Sequence, residues 1–314
     1  MLQYLIILLD DTSTSFCHYT NTRKERKLIP PDVLKASITF AMKEDLYVQF
    51  VYPDYELPPE YAELIETVEH SKIKPATCAD READVVVIDN WQTLGSYPYD
   101  SETAYVWHTG KDDFFNHHTL IARVLPKVAR LNVVITDIDS FDEEDLEDYA
   151  AALQNLAKDI EPLCQTGTIP QLNLLTDRLL LNEMNNCNAG WQSVTLAPNG
   201  KFYICPAFYL EDEGNDLGSV TNGLDIRNPQ LYRLEYAPIC RHCDAYQCKR
   251  CIWLNRKMTL EVNTPSREQC LTAHLERNAS RQLLAGIRQV QKNFLPHTEI
   301  KEIDYLDPFE ICRR

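Results

Sequence analysis

Glycine is scarce in this chain, at 9 of 314 residues, against about 7% in an ordinary composition. Neither G-x-x-x-x-G-K-[ST] nor G-x-G-x-x-G occurs, which argues against the phosphate-cradling nucleotide folds. Cationic residues are also short: 31 lysines and arginines face 47 aspartates and glutamates, for a net charge of −16. A chain this acidic lacks the basic track that neutralises nucleic-acid phosphates, so no nucleic acid is expected as a partner. No stretch approaches the ~20 apolar residues of a membrane span. The opening apolar run, Leu5 to Leu9, is brief and ends in Asp10-Asp11, unlike a secretory signal. No membrane partner is expected, therefore, and the expected location is the reducing cytoplasm. HExxH, G-x-S-x-G and EF-hand patterns are missing too.

What the chain has is cysteine, eleven in all. In a reducing compartment, clustered cysteines point to metal more often than to disulfides. Seven form an ordered array: Cys187, twelve residues, Gly200, four residues, Cys205, a gap, Cys240-x2-Cys243-x4-Cys248-x2-Cys251, a gap, and Cys270. Seven thiols exceed the need of one zinc ion, and zinc sites of four cysteines usually separate their pairs by about 15–20 residues rather than four. Tight runs of this kind are closer to the loops that wrap iron-sulfur clusters. Arg241, Lys249, Arg250, Arg256 and Lys257 against Asp244 make the surroundings locally basic, suited to thiolate-ligated iron. Zinc stays open as the alternative. The other four, Cys17, Cys78, Cys164 and Cys312, stand apart from the array. Adjacent Cys17 and His18 are expected to point apart rather than to form a nucleophile-base pair. His108, His117 and His118 have no matched carboxylate spacing and suit capping or surface roles.

From residue 3 to about 175, short apolar runs alternate with helical patterns. Strands are expected at Gln3-Leu9, Tyr47-Tyr52, Asp84-Ile88, Thr103-Trp107, Asn132-Thr136 and Gln171-Leu175. Helices are expected at Pro31-Lys43, Pro59-Glu69, Asp113-Ala129 and Phe141-Leu163, with none between Asp89 and Ser101. Repeated βα units with near-continuous apolar strands imply a parallel sheet covered on both faces, and six units can curl into an open partial barrel. Acidic residues or histidine follow each strand: Asp10-Asp11, Asp54, Asp89, His108, Asp137 with Asp139, and Asp177. Such positions form the C-terminal rim of a parallel sheet, although aspartate there also serves simply to cap helices and turns. The acidic run Asp137 to Asp148 reads as a solvated helix start. Near residue 186 the periodicity stops. Gln192-Leu196 and Phe202-Ile204 flank Ala197-Pro198-Asn199-Gly200 as a β-hairpin, and Ala273 to Gln291 forms a last amphipathic helix that packs back on the domain.

The array resembles the seven-cysteine SPASM domain of radical S-adenosylmethionine enzymes that modify peptides and proteins. That pattern is C-x9-15-G-x4-C, gap, C-x2-C-x5-C-x3-C, gap, C, and this chain is one residue shorter in each of the two later spacers. The usual partner of such a domain is a six-unit (β/α) partial barrel. The resemblance thus implies an α/β fold: residues 1–182 a degenerate radical-SAM-like partial barrel, and residues 183–314 a SPASM-like iron-sulfur domain with a C-terminal helix. Radical SAM enzymes carry C-x3-C-x2-C after their first strand, holding the 4Fe-4S cluster that cleaves the cosubstrate. The matching register here is Ser13-x3-Cys17-x2-Thr20, with the aromatic Tyr19 before the last position. Two of the three thiols are replaced by hydroxyls, which disfavours ordinary use of S-adenosylmethionine.

LLDDTSTSFCHY at 8–19, QFVYP at 49–53 and EVNTPSREQC at 261–270 most resemble the CXXX repeat peptide maturases. The implied role is maturation of a ribosomally made cysteine-repeat peptide, with two 4Fe-4S clusters relaying electrons or anchoring substrate. By the same likeness, Cys240, Cys243, Cys248 and Cys270 hold one cluster, and Cys187, Cys205 and Cys251 the other, whose fourth ligand is unassigned. The alternative is a non-catalytic, metal-stiffened module that presents a peptide to a separate modifying enzyme.

Overall fold

Six strands run parallel in the order β6-β5-β4-β3-β2-β1 in a computed structural model that describes residues 2–80, 82–165, 169–184, 186–248 and 250–300. They are β1 (Tyr4–Leu8), β2 (Tyr47–Val51), β3 (His70–Pro75), β4 (Val85–Ile88), β5 (Ala104–Thr109) and β6 (Arg130–Ile135). Between them lie α1 (Pro31–Lys43), α2 (Pro59–Ile65), α3 (Trp91–Ser96), α4 (Lys111–His117) and α5 (Leu120–Val124), and α6 (Glu143–Cys164) follows β6. Pro31, with its fixed φ and no N–H to waste, opens α1. Asp142 and Asp145 form a reciprocal capping box at the start of α6, with Glu143 and Glu144 beside the positive end of the helix dipole. Asp139, Glu143 and Asp145 of this acidic run are paired with Lys257, Arg267 and Lys111.

Alternation along the strands decides the layers. Leu5, Ile7, Val48 and Phe50 face α1 and α2, while Val86, Ile88, Trp107 and Val133 face α3 to α6. On the concave side Ile6, Val51, Ile73, Val106 and Val134 meet the cysteine-rich segment. Both faces are covered, as a parallel sheet requires. This is the partial barrel expected of a radical-SAM-like chain, followed by the cysteine-rich segment and a C-terminal helix.

Particular elements depart from the sequence reading. β3 was not expected: Lys72 and Lys74 interrupt its apolar pattern, yet both are nearly buried, Lys72 Nζ bonding Glu66 (2.7 Å) and Glu82 (3.0 Å) and Lys74 Nζ bonding Asp80 (2.7 Å). The expected strand Gln171-Leu175 shrinks to one parallel bridge, Leu131 to Leu172. Beside it the Asn173 side chain takes over the ladder, accepting from the Val133 amide (2.8 Å) and donating to its carbonyl (2.9 Å). Asn90 caps the unexpected α3 by accepting from the Thr93 amide at 2.8 Å.

The hairpin forms as expected, from β7 (Ser193–Leu196) and β8 (Phe202–Tyr203). Gly200 sits at φ +76°, the left-handed position its turn requires. Unforeseen in the sequence, β7 also pairs in parallel with β1, so the sheet grows to eight strands. The α-helices of this part are α7 (Pro206–Glu211), α8 (Ile252–Thr259) and α9 (Arg267–Val290), and Gly218–Ser219 pairs antiparallel with Gly223–Leu224 in a small second sheet. α9 packs along α6 through Ala279, Leu283, Leu284 and Ile287. No helix among the described residues is long and apolar enough to cross a membrane.

Candidate metal centres and the barrel cavities

Two sets of the array's cysteines lie close in space, Cys187 with Cys205 and Cys251, and Cys240 with Cys243 and Cys248. Cys187, Cys205 and Cys251 line one cavity of about 460 Å³ on the concave face of the barrel. Cys187 precedes β7, Cys205 ends the hairpin at the N-terminus of α7, and Cys251 precedes α8. Three separate turns thus converge because the hairpin is stitched to β1. Burial raises the Cys205 and Cys251 thiols far above their ordinary range, and the neighbouring Cys187 adds to both. Ionising one thiol opposes ionising the next, a penalty that a bound cation removes.

The second group lies between the 240–251 turns and α9. Burial pushes Cys248 up to about 12, with Cys240 and Cys243 adding to the rise. Cys240 is pushed up to about 11 by burial, opposed by the charge of Arg250. Cys243 Sγ accepts from the Ala245 amide (3.4 Å) and lies 3.7 Å from His274 Nε2. Cys270 stands one turn before His274 on α9, and so on the same helix face. His274 escaped the sequence reading; its spacing of four from Cys270 was the available signal. Cys248 and Cys251 both border one small cavity of about 40 Å³, so the two groups are neighbours.

Two observations test whether these residues suit a metal cluster. Among the described residues, no three of the seven thiols come within 4.8 Å of one another. Tetrahedral zinc with Zn–S of about 2.3 Å would hold thiolates about 3.8 Å apart, closer than any trio of these thiols comes. Arg250 is 1% exposed, its Nη1 and Nη2 atoms donate to the carbonyls of Tyr232 (3.2 Å) and Arg233 (3.5 Å), and its Nε finds no partner. A guanidinium buried against carbonyls calls for a counter-charge, which thiolates bound to a metal would supply. Of the other local cations, Arg256 and Lys257 pair with Glu211 and Asp139, and Lys249 lies outside the described residues. The Cys243, Asp244 and His274 ligand atoms do lie within 4.8 Å, but Asp244 is already bonded to Arg277 at 2.6 Å.

At the C-terminal rim the aspartates hold backbone and neighbours. Asp10 accepts from the Thr12 amide (2.8 Å) and from the Tyr55 hydroxyl (2.9 Å). Asp11 accepts from Tyr209 (2.5 Å) and Arg23 (3.0 Å), and Asp137 accepts from the Lys111 amide at 2.9 Å to start α4. Thr12, Ser13, Thr20, Arg23 and His108 line a second cavity here, of about 590 Å³. His117 stacks on Trp91 at 4.0 Å and His118, at the C-terminal cap of α4, bonds the Phe115 carbonyl; His108, expected in a capping or surface role, is instead buried, with its Nε2 3.0 Å from the carbonyl oxygens of Cys17 and Tyr19. Cys78 Sγ donates to Pro53 O (3.3 Å), Cys164 is buried in the apolar core, and Cys312 lies outside the described residues.

No protein-family model matches the chain. No curated protein matches it in sequence either. Solved structures do match its fold. Native anSMEcpe with bound AdoMet and Cp18Cys peptide aligns with a TM-score of 0.62 at 12% identity, over 91% of this chain and 99% of that one. A hexahistidine-tagged anSMEcpe with bound AdoMet aligns equally well, with a TM-score of 0.62 at 12% identity over 94% and 99%. The chain has the fold of a radical-SAM-like partial barrel with a SPASM-type extension. Because those structures hold AdoMet, the comparison lends no support to the expectation that S-adenosylmethionine is disfavoured here; that expectation rests on residues 13 and 20 alone.

Proposed function

We propose that this protein takes part in the maturation of a ribosomally made, cysteine-repeat (CXXX) peptide. One observation carries the reading: the thiols of Cys187, Cys205 and Cys251, with that of Cys17, border the interior cavity of the barrel, where a peptide on the concave face would meet them. The fold likeness to a protein solved with AdoMet and with a peptide supports it. In this reading Cys240, Cys243, Cys248 and Cys270 would hold one 4Fe-4S cluster, and Cys187, Cys205 and Cys251 would bind a second. Such clusters, when bound, supply electron relay or a thiolate-binding iron. Arg250 offsets the thiolate charge, and α9 carries Cys270 and His274 against the 240–251 turns. We assign residues 1–182 to the barrel and 183–314 to the cluster-bearing part.

A second reading is favoured by one observation: Ser13, at a position where radical SAM enzymes have a thiol, spends its hydroxyl on the Val51 carbonyl at 2.8 Å. The chain then presents its peptide to a separate modifying enzyme. Iron and acid-labile sulfide after anaerobic purification test both. About eight irons with matching sulfide are expected; stoichiometric zinc without sulfide overturns the cluster assignment.

A further inference from the structure

Ser13, Cys17 and Thr20 share one short loop but part company in space. Ser13 accepts from the Asp10 amide (3.0 Å), donates to Val51, and lines the rim cavity together with Thr20. Cys17 lines the other cavity, the interior one, alongside Cys187, Cys205 and Cys251. The backbone on either side of His18 is pinned in this direction. His108 Nε2 lies 3.0 Å from the carbonyl oxygens of both Cys17 and Tyr19, so that nitrogen carries the proton. His18 Nδ1 lies 2.9 Å from the Ile135 carbonyl.

A second observation concerns Tyr19. Its side chain borders the same interior cavity, the residue is 4% exposed, and its hydroxyl has no hydrogen-bond partner. A buried hydroxyl without an acceptor is costly. Tyr19 lines this cavity together with Cys17, Cys187, Cys205 and Cys251, so the phenol stands among the thiols as a hydrogen-bond donor. Sulfur bound to iron is an acceptor for it. Cys164, another thiol that could serve, is 0% exposed and packed in the apolar cluster around α6 and α9.

We propose that Cys17 is the fourth thiolate ligand of the cluster bound by Cys187, Cys205 and Cys251, with the Tyr19 hydroxyl donating a hydrogen bond to that cluster's sulfur. Binding releases the Cys17 proton to solvent and moves no electrons. The proposal rests on the iron-sulfur reading of this site and deepens it: the cubane is fully ligated by the chain, with no iron left open for a substrate thiol. The one cysteine that remains in the first loop is committed to the interior cavity, not to a cosubstrate at the rim.

The test uses the full chain, reconstituted anaerobically with iron and sulfide. Wild type, Cys17→Ser, Cys187→Ser and Cys78→Ser are compared by metal analysis, Mössbauer and EPR spectroscopy. Wild type and Cys78→Ser are expected to carry about eight irons. Cys17→Ser and Cys187→Ser are each expected to lose about one, with the EPR signal of a three-iron cluster after oxidation. A Cys17→Ser protein with the iron, sulfide and spectra of wild type overturns the proposal and leaves the iron-sulfur reading standing. A wild type without iron and sulfide removes both. If Cys17→Ser does not fold, iodoacetamide labelling of wild type decides. Cys17 should label at least tenfold more slowly in the loaded protein than after iron chelation, as Cys187 does; equal rates at Cys17 with protection at Cys187 overturn the assignment.

Discussion

Arg178→Met should loosen the whole C-terminal helix. Arg178 is 2% exposed, its Nη2 donates to Glu276 of α9 at 2.6 Å, and its Nη1 donates to the Leu174 carbonyl at 2.7 Å. Glu276 is held from the other side by the Tyr149 hydroxyl of α6, also at 2.6 Å. Three segments distant in sequence therefore meet on one carboxylate. Removing the guanidinium leaves that carboxylate buried with a single neutral donor, a loss of about 3–5 kcal/mol, which is a large share of the ~5–15 kcal/mol that stabilises a typical domain. Tyr149→Phe, which removes one hydrogen bond to a charged acceptor, should cost about 1.5–3 kcal/mol. The double variant Arg178→Met with Glu276→Gln should be more stable than Arg178→Met alone, since no unpaired charge remains. Urea denaturation followed by circular dichroism reads all three. A cost under about 1 kcal/mol for Arg178→Met, or a double variant less stable than the single, refutes the reasoning. Since α9 also carries Cys270 and His274, the single variant should purify with less iron.

Two further outcomes are expected. Supplied with S-adenosylmethionine and a strong reductant, the chain alone should release no 5'-deoxyadenosine, because Ser13 is bonded to backbone and Cys17 lines the other cavity; product detected by chromatography, and lost in Cys17→Ala, shows that this loop holds a cleaving cluster. Gly190→Ala should lower the melting temperature more than Gly200→Ala. Both glycines have positive φ, but a Cβ at 190 would stand 2.8 Å from the Tyr232 ring, whereas at 200 the nearest atom is Val33 Cγ1 at 3.4 Å; the second change costs only the left-handed strain of about 1–2 kcal/mol.

Part of this molecule is local and could be read from the sequence, although the locally capped α3 was not. Pro30-Pro31 and the spacing of Leu34, Ile38 and Ala41 define α1 to the residue, because proline fixes φ and the apolar stripe follows the helical period. Pro198-Asn199-Gly200 determines the hairpin through the left-handed conformation that glycine tolerates. The order and spacing of the seven cysteines are likewise properties of the chain alone, and they suffice to suggest metal.

Tertiary structure decided the rest, since it depends on which surfaces meet. The Lys72 and Lys74 ammonium groups become tolerable in β3 only when Glu66, Glu82 and Asp80 fold over them, so no apolar pattern announces that strand. The pairing of β7 with β1 brings Cys187 and Cys205 to the barrel, and no local propensity encodes a contact so distant along the chain. The direction in which Cys17 turns, away from Ser13 and Thr20, follows from His108 holding the carbonyls of Cys17 and Tyr19. Those contacts are about ninety residues apart in sequence, and only the closed barrel brings them within hydrogen-bonding reach.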